Sequence, residues 1–157
     1  MLGHLNTQQI EQVLNTQAVG RIGCHYNGKT YVVPISYAYD GNNIYAHTAE
    51  GMKLEMMRHN PNVCFEVDVF ENMANWQSVI AMGEFEEIQE GIERKNAIEK
   101  LMARSLPMIS SETVKLTSHW PFHTADLNSV PGVIFRIKLA EKSGRFEKFE
   151  ASSHYAF

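Results

Sequence analysis

The chain has 157 residues, enough for one domain with its own core but short for two. Hydrophobic residues make up 44% and charged residues 20%, the composition of a soluble globular protein; the formal net charge of −4 offers no basic surface of the kind that holds nucleic acid. No stretch approaches the ~20 consecutive apolar residues of a membrane span. Met1-Leu2-Gly3-His4 lacks the charged and apolar regions of a secretory signal, so the sequence reads as cytoplasmic, with neither membrane nor nucleic acid as partner.

Asn6 or Thr7 can cap a short helix whose apolar residues Ile10, Val13 and Leu14 share one face. Residues 18–26 and 31–39 read as strands around Asn27-Gly28, a strong hairpin signal. Asp40-Gly41-Asn42-Asn43 marks a second turn into a strand over 44–48, so an antiparallel meander of three strands is expected. A helix over 51–59 turns Leu54 and Met57 inward and stops before Asn60-Pro61, because proline disfavours helix just ahead of it. A strand over 62–69, a loop over 70–75 and a long strand over 76–89 with a bulge at Gly83 follow. A helix over 91–105 carries Ile98, Leu101 and Met102 on one side; residues 106–130 read as irregular, and 132–139 as the last strand. One domain over 1–146 with a flexible tail over 147–157 is expected. About six antiparallel strands, with helices that do not alternate with them, make a mainly β protein: a barrel with appended helices. Cys24 and Cys64 fall in strand-like runs without a C-x-x-C spacing and read as reduced packing thiols, although a disulfide stays open.

The run Tyr45-Ala46-His47-Thr48-Ala49-Glu50-Gly51-Met52-Lys53 has the order of parts that holds a phosphate. A strand ends in a hydroxyl residue, and a glycine and a lysine open a helix whose first N–H groups have no intrahelical partner. Gly51 lets an anion approach the backbone, Lys53 adds a point charge and Thr48 a hydroxyl. The same residues also suit an ordinary loop with a solvated lysine.

Three further segments stand in order around this run: Val33-Pro34-Ile35-Ser36-Tyr37-Ala38-Tyr39, Asn60-Pro61-Asn62-Val63-Cys64-Phe65 and Asn75-Trp76-Gln77-Ser78-Val79-Ile80-Ala81-Met82-Gly83. Together, over about residues 8–140, they resemble the pyridoxamine 5'-phosphate oxidase-like flavoproteins, and most closely the branch that includes the nitroimidazole-resistance proteins. The resemblance implies a six-stranded antiparallel split β-barrel that binds FMN, as a homodimer with the flavin between subunits. It further implies an oxidoreductase acting on a small molecule, such as a nitro-compound reductase, or alternatively a non-catalytic flavin- or haem-binding protein on the same barrel. By position, Lys53 resembles the residue that holds the FMN phosphate, and Ala46, His47 and Thr48 the strand end beside the ribityl chain and ring. Pro34, Ile35, Ser36 and Tyr37 resemble the strand whose backbone follows the isoalloxazine, and Gln77 and Ser78, with Trp76 adjoining, the long-strand positions that reach it. Met52 stands where the oxidase has a second basic residue, and its substrate-closing C-terminal segment is not recognisable around Gly144-Arg145-Phe146-Glu147, which argues against pyridoxamine phosphate as substrate.

Several single residues keep two readings. His47 either donates a hydrogen bond or proton to a bound substrate, as a candidate catalytic group, or bonds only to backbone at the strand end. Arg58 either assists the phosphate or is a solvated surface residue. Trp76 either stacks near the ring or partner subunit or fills the core. His119 and His123 are four apart, but Pro121 interrupts the helix that would align them on a metal, and a loop packing Trp120 and Phe122 is the simpler reading.

Overall fold

The computed structural model describes residues 1–104, 122 and 126–150. Most of the segment expected to be irregular, including His119, Trp120 and His123, lies outside the described residues, as do residues 151–157. After a short strand β1 (Leu2–His4), helix α1 (Thr7–Thr16) starts on a capping box. The Asn6 side chain accepts from the Gln9 N–H at 2.9 Å and the Gln9 side chain from the Asn6 N–H at 2.8 Å. Two donors that the helix cannot satisfy are thereby paired, a contribution of about 1 kcal/mol. Ile10, Val13 and Leu14 are buried, as the spacing predicts.

Strands β2 (Val19–Tyr26) and β3 (Lys29–Ser36) form the expected hairpin, with positive φ at both Asn27 and Gly28. The strand expected over 31–39 breaks at Tyr37. Its N–H donates to the Ala18 carbonyl at 3.0 Å and its buried hydroxyl to the Leu14 carbonyl at 2.8 Å, which pulls the chain out of the ladder. The next two residues form β4 (Ala38–Tyr39), which pairs with β5 (Asn43–Thr48). Both hairpins therefore exist, but the three-stranded meander does not: the sheet order is β3-β2-β6-β7-β8-β5-β4, with β3 and the β5–β4 pair at opposite edges.

Strand β6 (Asn62–Asn72) runs longer than expected, β7 (Asn75–Ile88) starts one residue early, and the two close over a two-residue turn instead of a loop over 70–75. Between Met82 and Gly83 the β7–β8 register shifts, so an irregularity does fall at Gly83, but the extra residue is Ala140 of β8 and not one of β7. A Cβ on Gly83 would lie 2.5 Å from the Lys138 carbonyl oxygen, so the close approach there requires glycine. The last strand, β8 (Val133–Glu147), continues well beyond residue 139. Its second half, Ala140 to Glu147, is polar on both faces and is held by neighbours: β7 along one side and β1 along the other. Beyond it, the Met1 ammonium donates to the Lys148 carbonyl and the Phe149 N–H to the Asn75 side chain, so residues 147–149 are tied to the sheet.

The result is one antiparallel sheet of eight strands, six long or medium and two short, that curls around Phe65, Val67, Phe135 and Ile137. Its edges β3 and β5 approach each other without a ladder between them, which makes the fold a split β-barrel. Helix α2 (Met52–His59) packs on β2 and buries Leu54, Met56 and Met57. Helix α3 (Ile92–Ala103) covers a second cluster, where Ala97, Ile98 and Leu101 meet Tyr45, Phe122 and Ile134.

Candidate functional site

The candidate residues fall into two groups. The first lies along the split, on β3, the end of β5 and the start of α2. Ladder pairing of β4 to β5 covers only Ile44 and Tyr45, so Ala46, His47 and Thr48 are paired on the β8 side alone. Strand β3 is likewise paired only to β2. Two stretches of edge backbone therefore face the split with donors and acceptors that the sheet does not use. Ile35, Tyr37 and Ala46 are buried, so their side chains belong to the core and only their backbone can serve a ligand, whereas Pro34 and Ser36 are exposed.

At the junction of β5 and α2, Gly51 is the N-cap with an extended backbone, and no side chain caps the helix. A Cβ on Gly51 would meet nothing within 4 Å, so the space over the helix end is open. Half-buried Lys53 has no ion-pair partner among the described residues. Its ammonium lies near β2, where it works against the burial that pushes the Cys24 thiol pKa up. Thr48 donates its hydroxyl to the Ala49 carbonyl at 3.2 Å. An uncapped helix end beside an unpaired lysine is an anion site by charge and by donor geometry.

Arg58 is already paired within the protein. Its guanidinium makes a bidentate pair with Glu50 at 2.7 and 2.9 Å and a second with Glu87, both bonds at 3.0 Å. It is a strap that ties the 49–51 loop to β7.

His47 is held from three sides. Its Nε2 lies 2.6 Å from the Pro131 carbonyl oxygen, Phe122 meets its ring edge-on at 5.1 Å, and Gly132 lies beneath. A carbonyl only accepts, so Nε2 carries the proton. Nδ1 is then the ring nitrogen without a partner among the described residues, and in the neutral ring it accepts. Gly132 has φ +88°, and a Cβ there would lie 2.9 Å from both His47 Nε2 and the Thr48 carbonyl oxygen, so this turn must be glycine. The Pro131-Gly132 pair is a turn signal in the sequence, but nothing local links it to a histidine 84 positions away.

The second group, Trp76 to Ser78, sits at the far end of β8: Trp76, Gln77 and Ser78 pair with Glu147, Phe146 and Arg145, whereas Thr48 pairs with Val133. Trp76 Nε1 donates to Glu147 at 3.1 Å and Ser78 Oγ to Glu66 at 3.1 Å. Trp76 and Ser78 share the outer face of the sheet, while Gln77 points to the other side and lines a cavity with Gln9, Val69 and Phe146. One protomer does not bring the two groups together.

The outer face carrying Trp76 and Ser78 also carries Val19, Val32, Ile80 and Met82, each about half exposed, on adjacent strands. Beside them runs an open groove of about 880 Å³ lined by Gly23, Val32, Cys64 and Met82. Arg21 crosses this face, paired with Glu66 at 3.1 Å and Asp68 at 2.9 Å. Cys24 is buried and Cys64 half-buried, and both are free thiols.

Among known proteins, an uncharacterised protein of Rhizobium meliloti (strain 1021) is 30% identical over 84 residues, which cover 54% of this chain and just over half, 56%, of that relative. The structure of a FAD-binding protein from Mesorhizobium loti superposes with a TM-score of 0.69 and 28% identity, covering 94% of this chain and 99% of that one. A candidate 5-nitroimidazole antibiotic resistance protein from Bacteroides thetaiotaomicron gives a TM-score of 0.70 at 20% identity over 93% of this chain and 87% of that one, a likeness of fold. The family model described as pyridoxamine 5'-phosphate oxidase matches residues 6–146, nearly the whole of the described barrel, and the chain belongs to that family.

Proposed function

We propose that the chain is a flavoprotein that binds FMN at the β5–α2 junction, works as a homodimer, and oxidises or reduces a small molecule, with nitro compounds the first substrates to try. The observation that carries this reading is the unpaired Lys53 beside an uncapped, open helix end. Such a place suits a dianionic phosphate monoester, which pairs with the ammonium and accepts from first-turn N–H groups. The edge backbone of β3 and of Ala46–Thr48 suits the polar rim of a flat heterocycle. Membership of the family and the likeness to a FAD-binding protein support a flavin over other phosphate esters.

Lys53, Thr48 and the α2 N–H groups would hold the phosphate, with the backbone around Pro34–Tyr37 and Ala46–Thr48 beside the ring. A bound flavin supplies reversible electron uptake; the protein supplies position and electrostatics. His47, with its Nε2 proton committed to Pro131, would accept a hydrogen bond at Nδ1 when neutral and donate there only when protonated.

The separation of the two groups supports the homodimer. Trp76 and Ser78 reach a flavin only from a second copy, and they lie on the half-exposed apolar outer face, where burial against a like surface removes Val19, Val32, Ile80 and Met82 from water. Purification tests the reading. A yellow protein that releases FMN on acid treatment supports it; release of FAD corrects the cofactor, and a colourless protein that leaves FMN fluorescence unquenched overturns it. Bleaching by NADH or NADPH, with recolouring as a nitro acceptor is consumed, supports turnover; a flavin that stays oxidised with either donor removes the nicotinamide-driven nitroreductase version.

A further inference from the structure

The end of α3 carries a cation that no described residue neutralises. Arg104 follows directly on the helix, and its Nε and Nη1 are buried without a hydrogen-bond partner. Its pKa is lowered by burial alone, with no carboxylate opposing the shift. Burying these two nitrogens without an anion is costly, because their three N–H donors lose water and gain nothing. The negative end of the helix dipole accounts for a cation in this place, but the terminal carbonyls accept nothing from those two nitrogens.

A cavity of about 360 Å³ lies against this group, between α3, the end of α1 and the Tyr37–Asp40 segment. Lys100, one turn before Arg104, lines it as well. Its ammonium lies over the Tyr45 ring at 5.7 Å and has no ion-pair partner among the described residues. The one carboxylate among the described wall residues, Asp40, is committed to the N–H groups of Asn42 and Asn43 at 2.9 and 2.8 Å and to the Tyr45 hydroxyl at 2.9 Å. The balance of charge on the lining is thus one positive. Leu14, Ala18 and Ala103 add apolar wall.

We propose that this cavity is a binding site for a small monocarboxylate with a flat or short apolar body, its carboxylate on Arg104 and Lys100 and its body against Leu14 and Ala18. A guanidinium fork matches a carboxylate in two parallel bonds, and one net charge matches a monoanion better than a phosphate dianion. The site is separate from the β5–α2 junction and does not depend on the flavin reading.

Calorimetric titration of the full-length protein with benzoate tests this, with inorganic phosphate as the second probe and Arg104→Met and Lys100→Gln as variants. The expected result is one benzoate per chain, at least tenfold weaker in Arg104→Met and several-fold weaker in Lys100→Gln, with phosphate weaker than benzoate. Without benzoate, Arg104→Met should melt at the same or a higher temperature than the parent, because a buried unpaired charge has been removed. Absence of benzoate binding, or equal affinity in both variants, overturns the proposal. A lower melting temperature for Arg104→Met reveals a partner within the protein and overturns it too. Tighter phosphate than benzoate binding overturns the carboxylate assignment.

Discussion

The two groups of candidate residues differ in how far the protein satisfies them. At the β5–α2 junction no side chain caps the helix, Lys53 has no ion-pair partner among the described residues, and the edge backbone of Ala46 to Thr48 lacks a second ladder. At the start of β7 the polar atoms are already occupied, Trp76 by Glu147 and Ser78 by Glu66. Unsatisfied donors around open space mark where an anion belongs; satisfied side chains on a half-apolar face mark where another surface belongs. On this comparison we propose the junction as the ligand's anchor and the β7 face as the dimer's.

The largest effect should come from breaking the second half of that comparison. Ile80 sits on the exposed apolar face, so Ile80→Glu would put a like charge on both sides of the contact. Sedimentation should show monomers, with dimer affinity weakened by more than about a hundredfold and flavin lost with it. A dimer that survives unchanged would place the interface elsewhere.

Lys53→Ala comes next. A charge-assisted hydrogen bond to phosphate contributes about 1.5–3 kcal/mol, so FMN affinity should fall roughly tenfold to a hundredfold while the protein melts as before. Fluorescence titration reads the first and calorimetry the second.

A third test concerns the scaffold behind the split. Lys142 Nζ bonds Glu11 and the Tyr39 hydroxyl, both at 2.6 Å, and Tyr39 also donates to Glu11 at 2.6 Å, tying α1 to β4 and β8. Burial opposes the Glu11 charge, but the bonds from Lys142 and Tyr39 outweigh it and hold the carboxyl below its usual range. Its stabilisation is therefore present above the ordinary glutamate pKa and is lost as pH falls through the lower folded value. Burial first, and then the bond to Glu11, push Tyr39 up to about 12. Lys142 is also held above its usual range, its bonds to Glu11 and Tyr39 outweighing a burial that works against its charge. Both contributions are complete at neutral pH and lost as pH rises through the folded values. Glu11→Gln should cost about 1–2 kcal/mol at pH 7 in denaturant melts, and the gap from the parent should close in acid. A gap that does not change with pH would remove the carboxylate from the network.

The smallest effect is expected at Arg58. Arg58→Lys loses the double fork to Glu50 and Glu87, yet FMN affinity should change less than about threefold, because the guanidinium is already occupied by two carboxylates. A loss comparable with that of Lys53→Ala would make Arg58 a phosphate ligand.

Much of the fold was legible because its signals are local. The Asn6 cap, Asn27-Gly28 and Asn60-Pro61 each act within a few residues of themselves. What the chain did not disclose was long-range. The break at Tyr37 depends on the Leu14 carbonyl, and the second half of β8 is a strand only because β7 and β1 flank it. At the site the strand–glycine–lysine order was readable, since it is contiguous. The occupation of Arg58 by Glu87 and the pinning of His47 by Pro131 were not, because each partner comes from a distant strand or turn.

The central claim is that Lys53 and the α2 end hold a flavin's phosphate. Paired titration of FMN and riboflavin, which differ only in that phosphate, tests it most directly in the parent and in Lys53→Ala. The parent should prefer FMN by tenfold or more, and the preference should largely vanish in the variant. A parent without preference, or a variant that weakens both ligands equally, would contradict the claim.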